Sequence, residues 1–223
     1  MIFIFTTVLF DLDGTLSDSF PGVSHGIEYA LERLGYPKPE KSVLWECMGP
    51  PLMDSFTRLL GLSEAEAEQA VKLYREYYPR KGILEQSLME GAKETLIALK
   101  ALGITICLAT SKPQIYSEKI LKDNGIEKYF DVIVGATFDG SISEKADIIA
   151  CVLEKTGEAP ENCLMVGDRN FDVTGAHCRG VKCAGVLCGY GSEKEFLECG
   201  ADYIVKMLPD IVELIRDQEP SLS

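Results

Sequence analysis

The 223-residue chain carries eight cysteines, yet it has no C-x-x-C pair and no cysteine/histidine cluster at zinc spacing. That excludes a structural zinc site and favours reduced, mostly buried thiols of the cytosolic kind. A basic stripe is also missing. Thirty-five acidic against 22 basic residues give a formal net charge of -13, so polymeric nucleic acid and an anionic membrane surface are excluded as partners. No apolar run approaches the roughly 18 residues that cross a bilayer. The apolar start, Met1 to Phe10, lacks a basic n-region and a small-residue cleavage site and runs directly into Asp11. It reads as a buried strand, not a signal. Neither internal repeats nor low-complexity segments occur. The two histidines, His25 and His177, have no carboxylate or cysteine partner at ligand spacing. The expectation is a soluble, cytoplasmic globular protein of one domain or one domain and a small partner.

What is present is a repeated form. Thr7-Val8-Leu9-Phe10, Ile104-Thr105-Ile106-Cys107-Leu108-Ala109, Asp131-Val132-Ile133-Val134 and Cys163-Leu164-Met165-Val166 are short apolar runs, the pattern of strands buried on both faces of a parallel sheet. Amphipathic helical patterns alternate with them, which predicts an α/β fold: a Rossmann-like parallel sheet flanked by helices, with right-handed crossovers. Residues 181–187 and 203–205 add candidate edge strands, and 208–216 reads as a closing helix.

About 90 residues separate the first strand from Ile104, far more than the dozen or so a crossover requires. An all-α insertion fills the gap. Asp18-Ser19-Phe20-Pro21 caps a helix that runs to Leu34 with Gly35 as its stop, and a second helix is expected over 52–60. Ser63-Glu64-Ala65-Glu66 is a capping-box pattern whose helix ends before Pro79. Residues 90–102 then form the crossover helix proper. The division is residues 1–16 and 85–223 for the α/β core and 17–84 for the helical insert.

Four polar sites fall just after strand ends: Asp11 with Asp13, Thr110 with Ser111, the loop leading to Lys145, and Asp168 with Asp172. In an open parallel sheet the carboxyl ends of the strands share one edge, where ligands bind. Several carboxylates in one cleft raise each other's pKa unless a cation sits among them, and hard oxygen ligands favour Mg²⁺. A hydroxyl at Thr110 and an ammonium at Lys145 supply the groups that hold a phosphoryl oxygen. An aspartate can attack phosphorus and a second can move the proton. Thr110 and Ser111 also read as caps of the helix that follows Pro113. Lys112 is ambiguous, since a lysine near a strand end is usually a solvated surface charge, and Lys145 is preferred as the phosphate lysine. Gly189-Tyr190-Gly191-Ser192 reads as a helix cap bordering the cleft.

These segments resemble, in order, the four signature motifs of the haloacid dehalogenase-like (HAD) superfamily of phosphatases, over nearly the whole chain. Asp11-Leu12-Asp13-Gly14-Thr15 resembles the first, and Leu108-Ala109-Thr110-Ser111-Lys112 the second. Ser143-Glu144-Lys145-Ala146-Asp147 and Gly167-Asp168-Arg169-Asn170-Phe171-Asp172 resemble the third and fourth. The resemblance implies Asp11 as nucleophile, Asp13 as acid/base whose backbone carbonyl also binds metal, and Thr110, Ser111 and Lys145 as phosphate-binding. It implies Mg²⁺ held by Asp11, Asp13, Asp168 and Asp172. The helical insert resembles the cap of the phosphoglycolate phosphatase and β-phosphoglucomutase branch. Met48-Gly49-Pro50-Pro51-Leu52 and Phe138-Asp139-Gly140-Ser141 are similar to proteins classed as phosphoglycolate phosphatase-like or 5′-nucleotidase-like. The resemblance implies Mg²⁺-dependent, phosphoglycolate phosphatase-like hydrolysis of a small phosphomonoester, a phosphorylated metabolite, through an aspartyl-phosphate intermediate. A 5′-nucleotidase, a phosphomutase and a non-catalytic phosphate-sensing module are the alternatives.

Overall fold

The computed structural model of the chain describes residues 4–139 and 141–217. Met1 to Phe3 of the apolar start, Gly140 of the Phe138-Asp139-Gly140-Ser141 segment and the last six residues lie outside them. Two compact units emerge, Met1–Ser17 with Leu88–Ser223 and Asp18–Ser87. Among the described residues no helix is long and apolar enough to cross a membrane.

The first unit is a six-stranded sheet built from β1 (Thr7–Phe10), β4 (Thr105–Pro113), β5 (Val132–Ala136), β6 (Cys163–Gly167), β7 (Lys182–Val186) and β8 (Tyr203–Val205). Two-residue strands β2 (Ser17–Asp18) and β3 (Ser87–Leu88) stand where the chain leaves and rejoins this unit. The sheet order is β5-β4-β1-β6-β7-β8, and every adjacent pair is parallel. Among the described residues only β8 and β5 are edges of this sheet. The expectation of an edge strand over 181–187 is therefore corrected, because β7 bonds β6 on one side and β8 on the other.

Burial on both faces explains why these strands read as continuous apolar runs. On one face Leu9, Cys107, Ala109, Met165 and Cys183 pack with Ile148, Ile149 and Val152 of α7 (Lys145–Thr156) and with Val173 and Ala176 of α8 (Asn170–His177). By strand alternation Val8, Phe10, Ile106, Leu108, Leu164 and Val166 take the other face and are equally buried. There α5 (Ala92–Ala101) packs on β4, and α10 (Asp210–Asp217) packs on α5. The remaining helices of this unit are α6 (Gln114–Asp123) and α9 (Glu193–Cys199).

The chain winds from β1 outward to β4 and β5, then returns to β6 on the far side of β1. β1 therefore sits at the topological switch point, where the crevice outside the strand ends takes ligands. Phe10 is level with both Leu108 and Val166. Just past that level stand Asp11, Thr110 and Asp168, with Thr110 still inside β4.

The second unit is helical. α1 (Phe20–Arg33) starts with the Phe20 N–H on Asp18 Oδ1 at 3.1 Å. It stops with Gly35 at φ +80° and the Tyr36 N–H returning to the Leu31 carbonyl, a Schellman closure. α4 (Glu64–Tyr77) carries the full capping box between Ser63 and Glu66. Residues 52–59 divide into α3 (Leu52–Asp54) and a π-helical turn (Ser55–Leu59). α2 (Lys41–Glu46) has no counterpart in the sequence reading: it is short, has no side-chain cap and buries only Leu44.

Candidate active site

β1 ends on Asp11, whose N–H donates to the Val166 carbonyl at 2.9 Å, and the chain then turns tightly. Gly14 has φ +81°, and a Cβ there would run into the Asp168 carboxylate. Any side chain at this position is thus excluded twice, by backbone conformation and by space.

Lys145 opens α7 and is 7% exposed. Its Nζ donates to Asp11 Oδ1 at 2.7 Å and to the Ala109 carbonyl at 2.9 Å, and it pairs with Asp172 Oδ1 at 2.9 Å. Gly175 on α8 lets the lysine stem pass, since a Cβ there would press on Lys145 Cβ and Cγ. Burial alone would lower the Lys145 pKa, but the charges of Asp11 and Asp172 overcome it and raise the ammonium above its ordinary range. Burial, with Asp172 and Asp13 nearby, pushes Asp11 up to about 6 against the pull of Lys145.

Asp168, at the end of β6, is fully buried. It accepts the Tyr190 N–H on Oδ2 at 2.8 Å and the Thr15 hydroxyl on Oδ1 at 3.4 Å. Gly189 and Gly191 crowd the same residue so closely that neither position has room for a Cβ. Burial and the neighbouring Asp172 and Asp11 push its carboxyl well above the usual range. Asp172 lies in the first turn of α8 and accepts the Arg169 N–H at 3.1 Å. Glu195 of α9 secures the segment between them, taking Arg169 Nε at 3.0 Å and the Asn170 N–H at 2.8 Å.

The carboxylate oxygens of Asp11, Asp168 and Asp172 come within 4.8 Å of one another. Lys145 serves Asp11 and Asp172, but Asp168 has hydrogen-bond donors and no ion-pair partner among the described residues. A buried carboxylate left in that state is costly. Three hard oxygen donors set against a single ammonium suit a small divalent cation such as Mg²⁺, so the residues fit that group.

Asp13 stands apart from this cluster. Its carboxylate is turned to Lys112, whose Nζ donates to Oδ1 at 2.9 Å and to Oδ2 at 2.7 Å. Lys112 is 8% exposed, which resolves its ambiguity against a solvated surface charge: the side chain is drawn inward by a carboxylate at the next strand end. The capping role of Thr110 and Ser111 is likewise corrected. β4 continues through both to Pro113, and Pro113 itself precedes α6. Thr110 is buried with its hydroxyl accepting the Lys112 N–H at 3.3 Å, while Ser111 is exposed.

Sequence reasoning missed Lys112 and the clasp of Asp168 by Thr15 and the 189–191 loop. The only signal was proximity: Lys112 lies two residues from Thr110, and the glycines flank Tyr190. Ser192 does cap α9, accepting the Glu195 N–H at 3.2 Å. His25 and His177 pair with Glu85 and Asp202 at 2.7 and 2.9 Å.

The chain is similar to known proteins over most of its length. The haloacid dehalogenase-like hydrolase family matches residues 8–186. A 5′-nucleotidase of Pseudomonas aeruginosa is 40% identical over 191 residues, 86% of each chain. The tyrosine-protein kinase PtkA of Mycobacterium tuberculosis is 38% identical over 93% of this chain and 70% of its own. A predicted phosphatase from Clostridium acetobutylicum superposes with a TM-score of 0.91 at 36% identity, covering 96% of this chain and 99% of that one. With a family match over most of its length and relatives of this identity and coverage, the chain belongs to the haloacid dehalogenase-like hydrolase family and is an enzyme of its phosphatase kind.

Proposed function

We propose that the chain hydrolyses a small phosphomonoester through an aspartyl-phosphate on Asp11. The observation that carries this reading is the convergence of Asp11, Asp168 and Asp172 on one point with Lys145 bridging two of them. Lys145 engages Asp11 Oδ1, which fixes the carboxylate and turns the other oxygen to phosphorus. Attack by that oxygen forms the acyl-phosphate bond as the ester P–O bond breaks. Asp13 gives a proton to the departing oxygen and then takes one from the water that attacks phosphorus, regenerating Asp11 and releasing phosphate. Thr110 and Ser111 donate to phosphoryl oxygens, and Lys145 offsets their charge. Mg²⁺, held by Asp11, Asp168, Asp172 and the Asp13 backbone carbonyl, supplies charge neutralisation of the phosphoryl group when bound.

The helical residues 17–84 are proposed as the cap that selects the substrate and excludes water. The first substrate class to test is nucleoside 5′-monophosphates, the activity for which the Pseudomonas relative is named. Phosphoglycolate, suggested by the resemblance of the insert, is the second. A cytoplasmic setting is proposed from eight cysteines that are all free.

Phosphate release from both substrates, with Mg²⁺ or with EDTA, tests the reading. Asp11→Asn is expected to cut turnover at least about 10⁴-fold with the fold retained. Substantial activity in that variant, or full activity in EDTA, overturns it.

A further inference from the structure

The geometry points to Lys112 as the positioning residue of Asp13, the side chain that holds the acid/base carboxylate in its working direction. The inference rests on the proposed role of Asp13. Among the described residues Lys112 is the only donor to the Asp13 carboxylate, and it reaches both oxygens, at 2.9 and 2.7 Å. The pair is unequal: the Lys112 side chain is 5% exposed and that of Asp13 is 23%. Asp13 could be solvated by water, so the pairing is not needed to keep its charge. The ammonium, by contrast, is carried to an almost buried position, where placing a charge is costly.

The backbone is shaped for this placement. β4 and β5 are in register at Thr110 and Gly135 and again at Pro113 and Ala136, so β4 spends two additional residues, Ser111 and Lys112, over one step of its neighbour. Irregularities of this kind re-aim side chains beside active sites. Gly135 permits it, because a Cβ there would strike the Lys112 carbonyl at 2.7 Å and Gln114 Cα at 2.6 Å. The Lys112 N–H on Thr110 Oγ1 and the Ser117 hydroxyl on the Lys112 carbonyl hold the displaced segment from both sides. Two strand ends that carry different parts of the chemistry are thereby tied by one ion pair.

In the proposed reaction one Asp13 oxygen gives its proton to the departing ester oxygen as the P–O bond breaks. The other stays with Lys112, which fixes the direction of the first. Lysine is suited to this because its ammonium has several donors on a flexible stem and can keep one bond while Asp13 carries the proton.

The test is steady-state kinetics of the full chain with Mg²⁺ on two esters, an alkyl phosphomonoester and an aryl phosphomonoester whose leaving group departs without a proton. The variants are Lys112→Met, Lys112→Arg, Asp13→Asn and the double variant Asp13→Asn/Lys112→Met. Lys112→Met is expected to lower kcat on the alkyl ester by about 10- to 100-fold, with KM changed by less than about threefold and a smaller loss on the aryl ester. Lys112→Arg is expected to recover part of the loss, and the double variant to be no slower than Asp13→Asn. A raised KM with kcat unchanged would make Lys112 a substrate anchor and overturn the inference, as would a double variant slower than Asp13→Asn by the full Lys112→Met factor. If Asp13→Asn loses no more on the alkyl than on the aryl ester, the acid/base reading fails and Lys112 falls with it. If Asp13→Asn shows that difference and Lys112→Met does not, only Lys112 is displaced. Thermal unfolding checks each fold, and Lys112→Gln, which keeps a donor, replaces Lys112→Met should the latter not fold.

Discussion

The two units of the molecule treat charge in opposite ways. Among the described residues every buried charged side chain, Lys112, Lys145, Asp168 and Asp172, lies in the sheet unit, whereas the buried polar residues of the helical unit are the serines 19, 24 and 55. The charges of the helical unit stay near its surface, as in the Ser63 and Glu66 capping box or the Lys38 and Glu28 pair at 3.0 Å. Buried charge is a stability cost that a fold without function has no reason to carry. One unit therefore spends stability on chemistry, and the other spends its polar groups on local structure.

The comparison is broken most severely at Lys145. Lys145→Met leaves Asp11 and Asp172 buried without their cation. Loss of one member of such a pair is expected to cost about 3–5 kcal/mol, read as a lowered denaturant midpoint, together with loss of turnover. A variant as stable and as active as the parent would show that the cluster is not held by this lysine.

A second, smaller effect is the pH dependence of the cation-free protein. Asp11 titrates at about 6 when folded against an ordinary 3.8, and Asp168 is shifted in the same direction. A carboxyl whose folded pKa is raised binds its proton more tightly in the native state, so its contribution is present at low pH and is lost as pH rises through the folded value. In EDTA this part of the stability is expected to decline between about pH 4 and 6. Mg²⁺ should restore it, so the melting-temperature gain on adding Mg²⁺ grows across that interval. A gain that is flat with pH would separate cation binding from this cluster.

The smallest effect lies in the helical unit. Ser63→Ala removes the N-cap of α4 and is expected to cost about 1 kcal/mol, measured by denaturation, with the chemistry untouched by the loss of the cap itself. A fall in kcat exceeding the population unfolded would show that the helical unit contributes more than scaffolding.

How far the sequence carries the reading also differs between the units. The central strands were legible because burial on both faces makes them unbroken apolar runs, and Asp11, Lys145, Asp168 and Asp172 were legible as polar residues just after such runs. The continuation of β4 through Thr110, Ser111 and Lys112 was not: these residues are polar and lead into a proline, and only pairing with β5 across an irregular register makes them strand. Lys112 itself is ambiguous in the sequence because its environment is set by Asp13, distant along the chain, and a lysine at a strand end is ordinarily solvated. In the helical unit Ser63 and Gly35 announced their caps, while α2 offered neither cap nor amphipathic stripe, and the π turn over Ser55–Leu59 interrupts a pattern that reads as one helix.

β1 is hydrogen-bonded on both sides, to β4 and to β6, along its full length. Its amides are therefore expected to exchange with solvent only when the whole sheet unit opens, whereas those of the short α2 exchange through local fraying. Asp11 is the next residue after that strand. Asp11, the proposed nucleophile, thus follows a segment expected to be among the slowest to exchange, and partial unfolding elsewhere can proceed for a long time before its carboxylate loses its place.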